Sequence, residues 1–262
     1  MSYAAGTQAV VTRRSSRFVP WVRAWRAGLV PFDEVPDHIA GDEEHLVADA
    51  PGTWTDVPLR DALPILSKLA PDEIRLVLPA PGDPRGLPGP GAFTNSALLA
   101  GEAVVAGGLG FVPEVHRHTS GSGMTFETVL WRVYPLPPDA FLAPAQPSAA
   151  EAEAELSAAL AEANAALTRL DVAQWRPELA GALAALRRPD AAADLPPGFG
   201  PRARRLFARA SVLDRMLALA AQVAPGGAIT AWEAQQRDAA LRPVAAACRQ
   251  ALMAACNAPL TF

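Results

Sequence analysis

Hydrophobic residues follow two different spacings along this chain of 262 residues. In the first half, short segments that are apolar, or that alternate apolar and polar residues, have strand character: 45–48, 74–78, 109–115 and 125–134. The last two flank a Ser/Gly-rich turn and predict a hairpin. Amphipathic stretches lie between the strands. This order predicts a small mixed sheet of about four strands with helices packed on it.

From residue 148 onward, apolar residues recur every three or four positions, which is the spacing of amphipathic helices. Ser148 and Thr230 each precede a glutamate by three residues, and this capping-box pattern begins a helix. Pro177 stands in the first turn of a second predicted helix, which ends near Arg188. Pro201 stands in the first turn of a third. The pattern predicts a four-helix, bundle-like region. The fold class of the whole chain is therefore α+β or, alternatively, α/β.

A proline-rich segment at 135–147 separates the two halves of the chain. Its prolines remove backbone donors and fix φ, so it is predicted to be an extended connector. We therefore expect a mixed α/β domain at 20–134 and an α-helical bundle domain at 148–262. Residues 1–19 contain paired arginines but lack the apolar run that an export signal needs. They are predicted to form a basic, flexible leader.

Charge and cysteine usage narrow the class of protein. A net charge of −4 gives no general attraction to nucleic acid or to anionic lipid. No apolar run reaches the roughly 18–20 residues that cross a bilayer, so no membrane association is expected. Cys248 and Cys256 fall about 12 Å apart in one predicted helix, too far for a disulfide. Free thiols without a signal peptide predict a cytoplasmic protein.

The segment 79–91 has the most unusual composition, with five prolines and four glycines between the clearest strand and a predicted helix at 92–106. Ligands of open α/β sheets bind beyond such strand ends, and helix starts favour anions. Arg85 can hold a carboxylate or phosphate through two hydrogen bonds, while Asp83 orients it or accepts a proton. The alternative interpretation is a stiff, polyproline-like strap at the sheet edge. The other candidate ligand-binding residues are Gly86, Asn95, Ser96 and His116.

The run Leu76–Pro90, with the sequence LVLPAPGDPRGLPGP, and the following AGEAVV at 100–105 resemble an uncharacterised family of actinobacterial proteins. The resemblance implies an intracellular bacterial protein. It implies no particular activity, and no catalytic residue is carried over from it.

His116 and His118 form the sequence's closest approach to a metal-binding pattern. On a strand, residues two apart share a face, so both imidazoles can reach one cation. No second metal motif supports the pair, and we therefore expect neither a metal nor a cofactor.

The sequence also lacks the motifs of nucleophilic catalysis, such as a Gly-x-Ser-x-Gly elbow. We therefore predict a cytoplasmic binding or interaction protein, whose helical half contacts a protein partner or a second copy of itself. The alternative is a small-molecule enzyme or sensor that binds an anionic ligand at 79–91. A further alternative is a nucleic-acid-associated regulator that uses the N-terminal arginines and those of 202–209, although the acidic net charge argues against it.

Overall fold

The computed structural model describes residues 13–121, 123–137, 146–169, 194–222 and 231–261. Within these ranges the helices are α1 (Ser15–Arg26), α2 (Val35–Ala40), α3 (Leu59–Ala62), α4 (Ala92–Ala100), α5 (Ala149–Arg169), α6 (Pro201–Gln222) and α7 (Ala231–Cys256). The strands are β1 (Glu44–Ala48), β2 (Val57–Pro58), β3 (Ile74–Val77), β4 (Ala103–Ala106), β5 (Leu109–Thr119) and β6 (Thr125–Pro135). Short 3-10 turns precede α2 and β3 and follow α3.

The strands form one mixed sheet in the order β2-β1-β6-β5-β4-β3. Only the β1–β6 pair is parallel among the described strands. The predicted mixed α+β class is confirmed, but the prediction of about four strands is wrong, because the described sheet has six. Helix α4 ends before Gly101, whose φ of 71° stops it, and the buried residues of β4 then pair with β3 and β5.

The C-terminal region is helical, as predicted. Helices α5 and α6 pack on α7, and their apolar faces join those of the sheet in one continuous core. The large, fully buried side chains of that core come from both halves of the chain, for example Trp131, Leu156 and Leu252. The predicted helix at 177–188 lies outside the described residues.

Asn257 closes the exposed edge of β3. Its side-chain oxygen accepts a hydrogen bond from the Leu76 amide at 2.8 Å, and its side-chain nitrogen donates to the Leu76 carbonyl at 3.0 Å. Two residues later, the Leu78 amide donates to Met253 Sδ at 3.2 Å. These contacts satisfy backbone groups that would otherwise be unpaired, because no described strand lies on this side of β3. They also hold the end of β3, from which the segment 79–91 continues, against α7.

Helix α1 occupies part of the predicted leader. Residues 15–19 are helical, and Phe18 and Val19 are completely buried in the core beside Val22. The prediction of a flexible leader through residue 19 is therefore wrong for 15–19. The physical reason is that these apolar side chains face the core while the neighbouring arginines find carboxylates and carbonyls inside the protein.

The paired arginines form charged hydrogen bonds at the start of α1. Arg14 donates to Glu43 at 2.5 Å and to Glu127 of β6 at 2.8 Å. Arg13 donates through two nitrogens to Asp214 of α6, each at 2.9 Å. Arg14 is largely buried, with 10% of its side chain exposed. A buried guanidinium needs this degree of compensation, because an unpaired charge in the interior is strongly unfavourable.

Arg23 joins α1 to the end of α7. Its Nη1 donates to the Cys256 carbonyl at 2.6 Å, and its Nε donates to the Pro71 carbonyl at 2.9 Å. Burial lowers the pKa of Arg23 to about 10, which still leaves it charged at neutral pH. A cation at a helix C-terminus satisfies free carbonyls and is attracted by the helix dipole.

His45 connects the charged group formed by Arg14, Glu43 and Glu127 to the core. Trp131 Nε1, which can only donate, gives its hydrogen to His45 Nδ1 at 3.1 Å. The neutral ring therefore carries its proton on Nε2, which faces Glu43 at 3.4 Å. Burial lowers the pKa of His45. Burial alone raises the pKa of Glu43, but hydrogen bonds from His45 and Arg14 outweigh it and lower that pKa to about 2.

The first prediction concerns Arg14→Met. Loss of this guanidinium leaves Glu43 and Glu127 with fewer donors in a mostly buried site, so we expect the free energy of unfolding to fall by about 3 kcal/mol. Urea unfolding followed by circular dichroism measures it. Arg60→Met is the control, because Arg60 forms an exposed ion pair with Asp37, and exposed pairs contribute about 0–1 kcal/mol. Equal losses in the two variants would contradict the structural role of Arg14.

The second prediction concerns pH. Because the folded state lowers the pKa of His45, the unfolded chain binds more protons below pH 6.5, and the free energy of unfolding falls as the pH drops from 6.5 to 5. The slope contributed by one such group is at most about 1.4 kcal/mol per pH unit. His45→Gln, which keeps an acceptor for Trp131, should reduce that slope. His118→Gln removes an exposed imidazole instead, and an equal reduction there would refute the assignment.

Candidate functional site

Residues 80–87 of the segment 79–91 form two consecutive tight turns. Ala80 and Asp83 exchange both of their backbone hydrogen bonds across the first turn, at 3.0 and 2.8 Å. Gly82 follows a proline there with a φ of +79°, which fits a type II turn and favours glycine. A second turn covers 84–87. Over residues 80–87 the backbone is therefore turned, and it is not extended as in the polyproline-like alternative.

Asp83 binds two arginines, one from the following turn and one from α7. Its Oδ1 and Oδ2 accept from Arg85 at 2.6 and 2.9 Å, and Oδ2 also accepts from Arg249 at 3.0 Å. The hydrogen bond from Arg85 lowers the pKa of Asp83 to about 2 against the opposing effect of burial, and Arg249 adds to this lowering. The carboxylate is therefore ionised at every pH at which the protein is expected to function.

Gln250 of α7 also binds the Arg85 guanidinium. Its side chain is buried, and in the amide orientation that satisfies both polar atoms its oxygen accepts from Arg85 at 3.2 and 3.3 Å. Arg85 thus contacts the Asp83 carboxylate of the preceding turn and an amide on α7. This arrangement fixes the turn on the helix.

An open cleft of about 630 Å³ lies between these turns and α7. Its surface is made of small and proline side chains together with charged groups. The lining residues are Ala80, Pro81, Gly82, Asp83, Pro84 and Arg85 from the turns, and Arg242, Ala245, Ala246 and Arg249 from α7.

Three arginines and one aspartate line this cleft, and Glu155 has a weaker coulombic interaction with Arg85, so the net charge of the cleft is positive. Arg249 is mostly buried, and its Nε is a buried donor that finds no acceptor among the described residues. Arg242 is exposed and forms no ion pair with any residue in the described ranges. A positive cleft with unused donors is suited to a carboxylate or a phosphate, which accept several hydrogen bonds from planar guanidinium groups.

Only Asp83 and Arg85 among the predicted ligand-binding residues line the cleft. Gly86 lies in the second turn, where an added Cβ would come within 3.1 Å of Val77, so its role is close packing on β3. Asn95 is exposed on α4 and is not part of the cleft lining.

The remaining two predicted residues lie elsewhere. Ser96 shares a hydrogen bond with the Tyr134 hydroxyl at 2.7 Å, which joins α4 to β6. His116 is exposed on β5, with its Nε2 4.0 Å from a carboxylate oxygen of Glu114. The structure does not bring either side chain into the cleft.

Sequence reasoning missed Arg242, Arg249 and Gln250. The first two stand seven residues apart in the predicted last helix, a spacing that places them on one helix face. That signal was present in the sequence. Nothing in it indicated that this face would meet a turn more than 150 residues earlier in the chain, because that contact depends on how α7 packs against β3.

The other charged and metal-like clusters have structural partners or lack a ligand set. His118 stacks on Phe126 with ring centroids 5.0 Å apart. Within the described ranges, no group of three or more His, Cys, Asp and Glu side chains is arranged to hold a metal ion. Of the arginines at 202–209, Arg202 pairs with Glu153 at 3.3 Å, and the Arg204 Nε donates to a backbone carbonyl.

The fold and the cleft together define a mixed α+β protein with a positively charged site between its sheet and its last helix. The Rv1486c-like protein N-terminal domain matches residues 15–148, and the Rv1486c-like protein C-terminal domain matches residues 150–253. The chain therefore belongs to the Rv1486c-like family.

Two relatives from Mycobacterium tuberculosis are similar along nearly the whole chain. The uncharacterized protein Rv1486c of strain ATCC 25618 / H37Rv is 30% identical over 276 residues, covering 92% of this chain and 94% of that protein. The uncharacterized protein MT1533 of strain CDC 1551 / Oshkosh has the same identity and coverage. The expected similarity to an uncharacterised family is thereby confirmed. No solved structure matches the chain.

In the part of the chain that the structure describes, no helix combines the length and the apolar character needed to span a bilayer.

The third prediction concerns the two cysteines. Both are buried, and burial raises the pKa of the Cys248 thiol to about 12 and raises that of Cys256 as well. The thiolate is the reactive form, so we expect neither cysteine to act as a nucleophile in the folded protein. We expect an aromatic disulfide reagent at pH 8 to label no thiol in the native protein and both in denaturant. Rapid labelling of the native protein would show that one of them is accessible.

Proposed function

We propose that this protein is a binding protein that holds a carboxylate or phosphate group in the cleft between residues 80–85 and α7. The observation that carries the proposal is the excess of guanidinium over carboxylate groups there, with Arg242 unpaired within the described ranges. Arg85, Arg242 and Arg249 supply the positive charge. Asp83 keeps two of them in place without neutralising the cleft.

The arrangement favours binding because its donors are held before a ligand arrives. Arg249 has 14% of its side chain exposed and is fixed by Asp83, so little side-chain entropy remains to be lost on binding. The exposed guanidinium of Arg242, which has no partner among the described residues, supplies further donors. An anion that enters the cleft accepts hydrogen bonds from it.

A binding role fits this site better than proton-transfer catalysis. The groups that line the cleft are arginines, which stay protonated, and Asp83, whose pKa of about 2 makes it a poor base near neutral pH. We therefore propose that Asp83 orients the arginines of the cleft and does not accept a proton from a ligand. The buried, unpaired thiols support a reducing compartment, and we propose the cytoplasm.

Contact with a protein partner through the helical half stays a prediction. In the described ranges, the apolar faces of α5, α6 and α7 are largely used within the protein's own core. Nucleic-acid binding gains no support from the N-terminal arginines, because Arg13 and Arg14 already bind Asp214, Glu43 and Glu127. The anion cleft is therefore the function that the geometry supports best.

The fourth prediction tests the cleft with inorganic phosphate and with acetate. We expect saturable binding in calorimetry, and an increase in the free energy of unfolding of about 2.7 kcal/mol at a concentration 100 times the dissociation constant. Arg249→Met should weaken binding at least tenfold, because it removes a fixed donor fork. Asp83→Asn should strengthen binding, because it removes the internal anion that competes for Arg85 and Arg249.

Arg205→Met is the matched control, since it removes one exposed arginine of α6 that does not line the cleft. Its affinity should equal that of the unmodified protein. If neither anion binds, or if Arg205→Met and Arg249→Met weaken binding equally, the proposed function is wrong and the effect is one of general charge.

A further inference from the structure

A second, mainly apolar groove opens between α6 and α7 and adjoins the arginine cleft. Its volume is about 380 Å³. Leu217, Ala220 and Ala221 form its α6 wall, and Leu241 and Ala245 contribute from α7. Arg242 and Ala245 line both the groove and the cleft, so the two spaces meet at this turn of α7.

We propose that the two spaces hold one ligand, an amphipathic anion with an unbranched apolar chain. The charged head lies in the arginine cleft and the chain follows the groove between α6 and α7. This inference rests on the proposed function and adds the chemical class of the ligand. A small, fully hydrated anion has no use for the groove, whereas an alkyl chain removes its apolar surface from water there.

The position of Arg242 supports this assignment. It is the charged residue common to both spaces and carries no partner among the described residues, so it stands where a head group meets its chain. The small side chains of Ala220, Ala221 and Ala245 leave room along the helices for a slender chain. A bulky or polar ligand would not bury the apolar walls that these residues and Leu217 present.

The far end of the groove limits the length of that chain. Arg237 and Asp238 lie there and contact each other at 3.5 Å, which places polar groups beyond the apolar walls. From Arg237 to Arg242, where the head group meets the chain, the helix axis rises about 7.5 Å. An extended alkyl chain advances roughly 1.2 Å per bond, so on this helix rise the groove accommodates about six chain carbons.

The fifth prediction uses straight-chain carboxylates from acetate to dodecanoate, each below the concentration at which it aggregates. Calorimetry should show the dissociation constant falling about fourfold for each added methylene, as expected for its transfer from water to an apolar site. The gain should stop at about six chain carbons, the length set by the helix rise from Arg237 to Arg242. Arg249→Met should weaken every member of the series, because the head group is common to all of them.

Ala221→Trp tests the groove directly. Ala221 is exposed on α6, so the indole can fill the groove without entering the core, and the gain with chain length should disappear while acetate affinity is kept. Ala218→Trp is the matched control, because Ala218 is also exposed on α6 but does not line the groove. That variant should retain the full chain-length gain.

The outcomes separate the two proposals. If acetate and phosphate show no Arg249-dependent binding, the proposed function fails and this inference fails with it. If they bind but affinity is independent of chain length, the cleft takes only small anions and the inference alone is overturned. The same conclusion follows if Ala221→Trp and Ala218→Trp give identical chain-length series.

Discussion

The burial of arginine side chains of α1 among internal acceptors is the interaction on which the remaining structure depends. A guanidinium enters a protein interior at low cost only where charged or carbonyl oxygens surround it. Arg14 finds two carboxylates next to the sheet, and Arg23 finds the last carbonyls of α7. One short helix is thereby fixed to the sheet on one side and to the C-terminal helix on the other. The apolar contacts of Phe18 and Val22 then complete a single core.

That placement of α7 creates the candidate site. Once its C-terminus is held by Arg23, the side chain of Asn257 pairs with the edge strand β3, and the segment after that strand emerges against α7. Asp83 and Arg249, 166 positions apart, then come within hydrogen-bond distance. The cleft is thus a product of the contact between the sheet and the last helix.

Local sequence patterns were sufficient to predict the elements that are determined by interactions between residues close together in the chain. Alternation gave the β5–β6 hairpin, helical spacing gave the helices of the C-terminal region, and turn chemistry marked 79–91. The predictions failed where a buried charge is compensated by a partner far away in the sequence. Arg13 and Arg14 resembled a solvated leader because their acidic partners lie far away in the chain. The four-residue strand β4 falls within a predicted helix, because an apolar run this short shows neither the helical nor the strand periodicity of hydrophobic residues.

In the proposed function, Asp83 determines both the geometry of the cleft and its affinity for an anion. A carboxylate already bound by Arg85 and Arg249 orders these side chains, which reduces the entropy lost when a ligand binds. The same carboxylate repels an incoming anion and occupies some of the donors that the anion needs. In the proposed function, affinity therefore depends on what Arg242 adds, and on any apolar surface buried beside it. This balance favours a ligand whose binding energy comes from more than its charge.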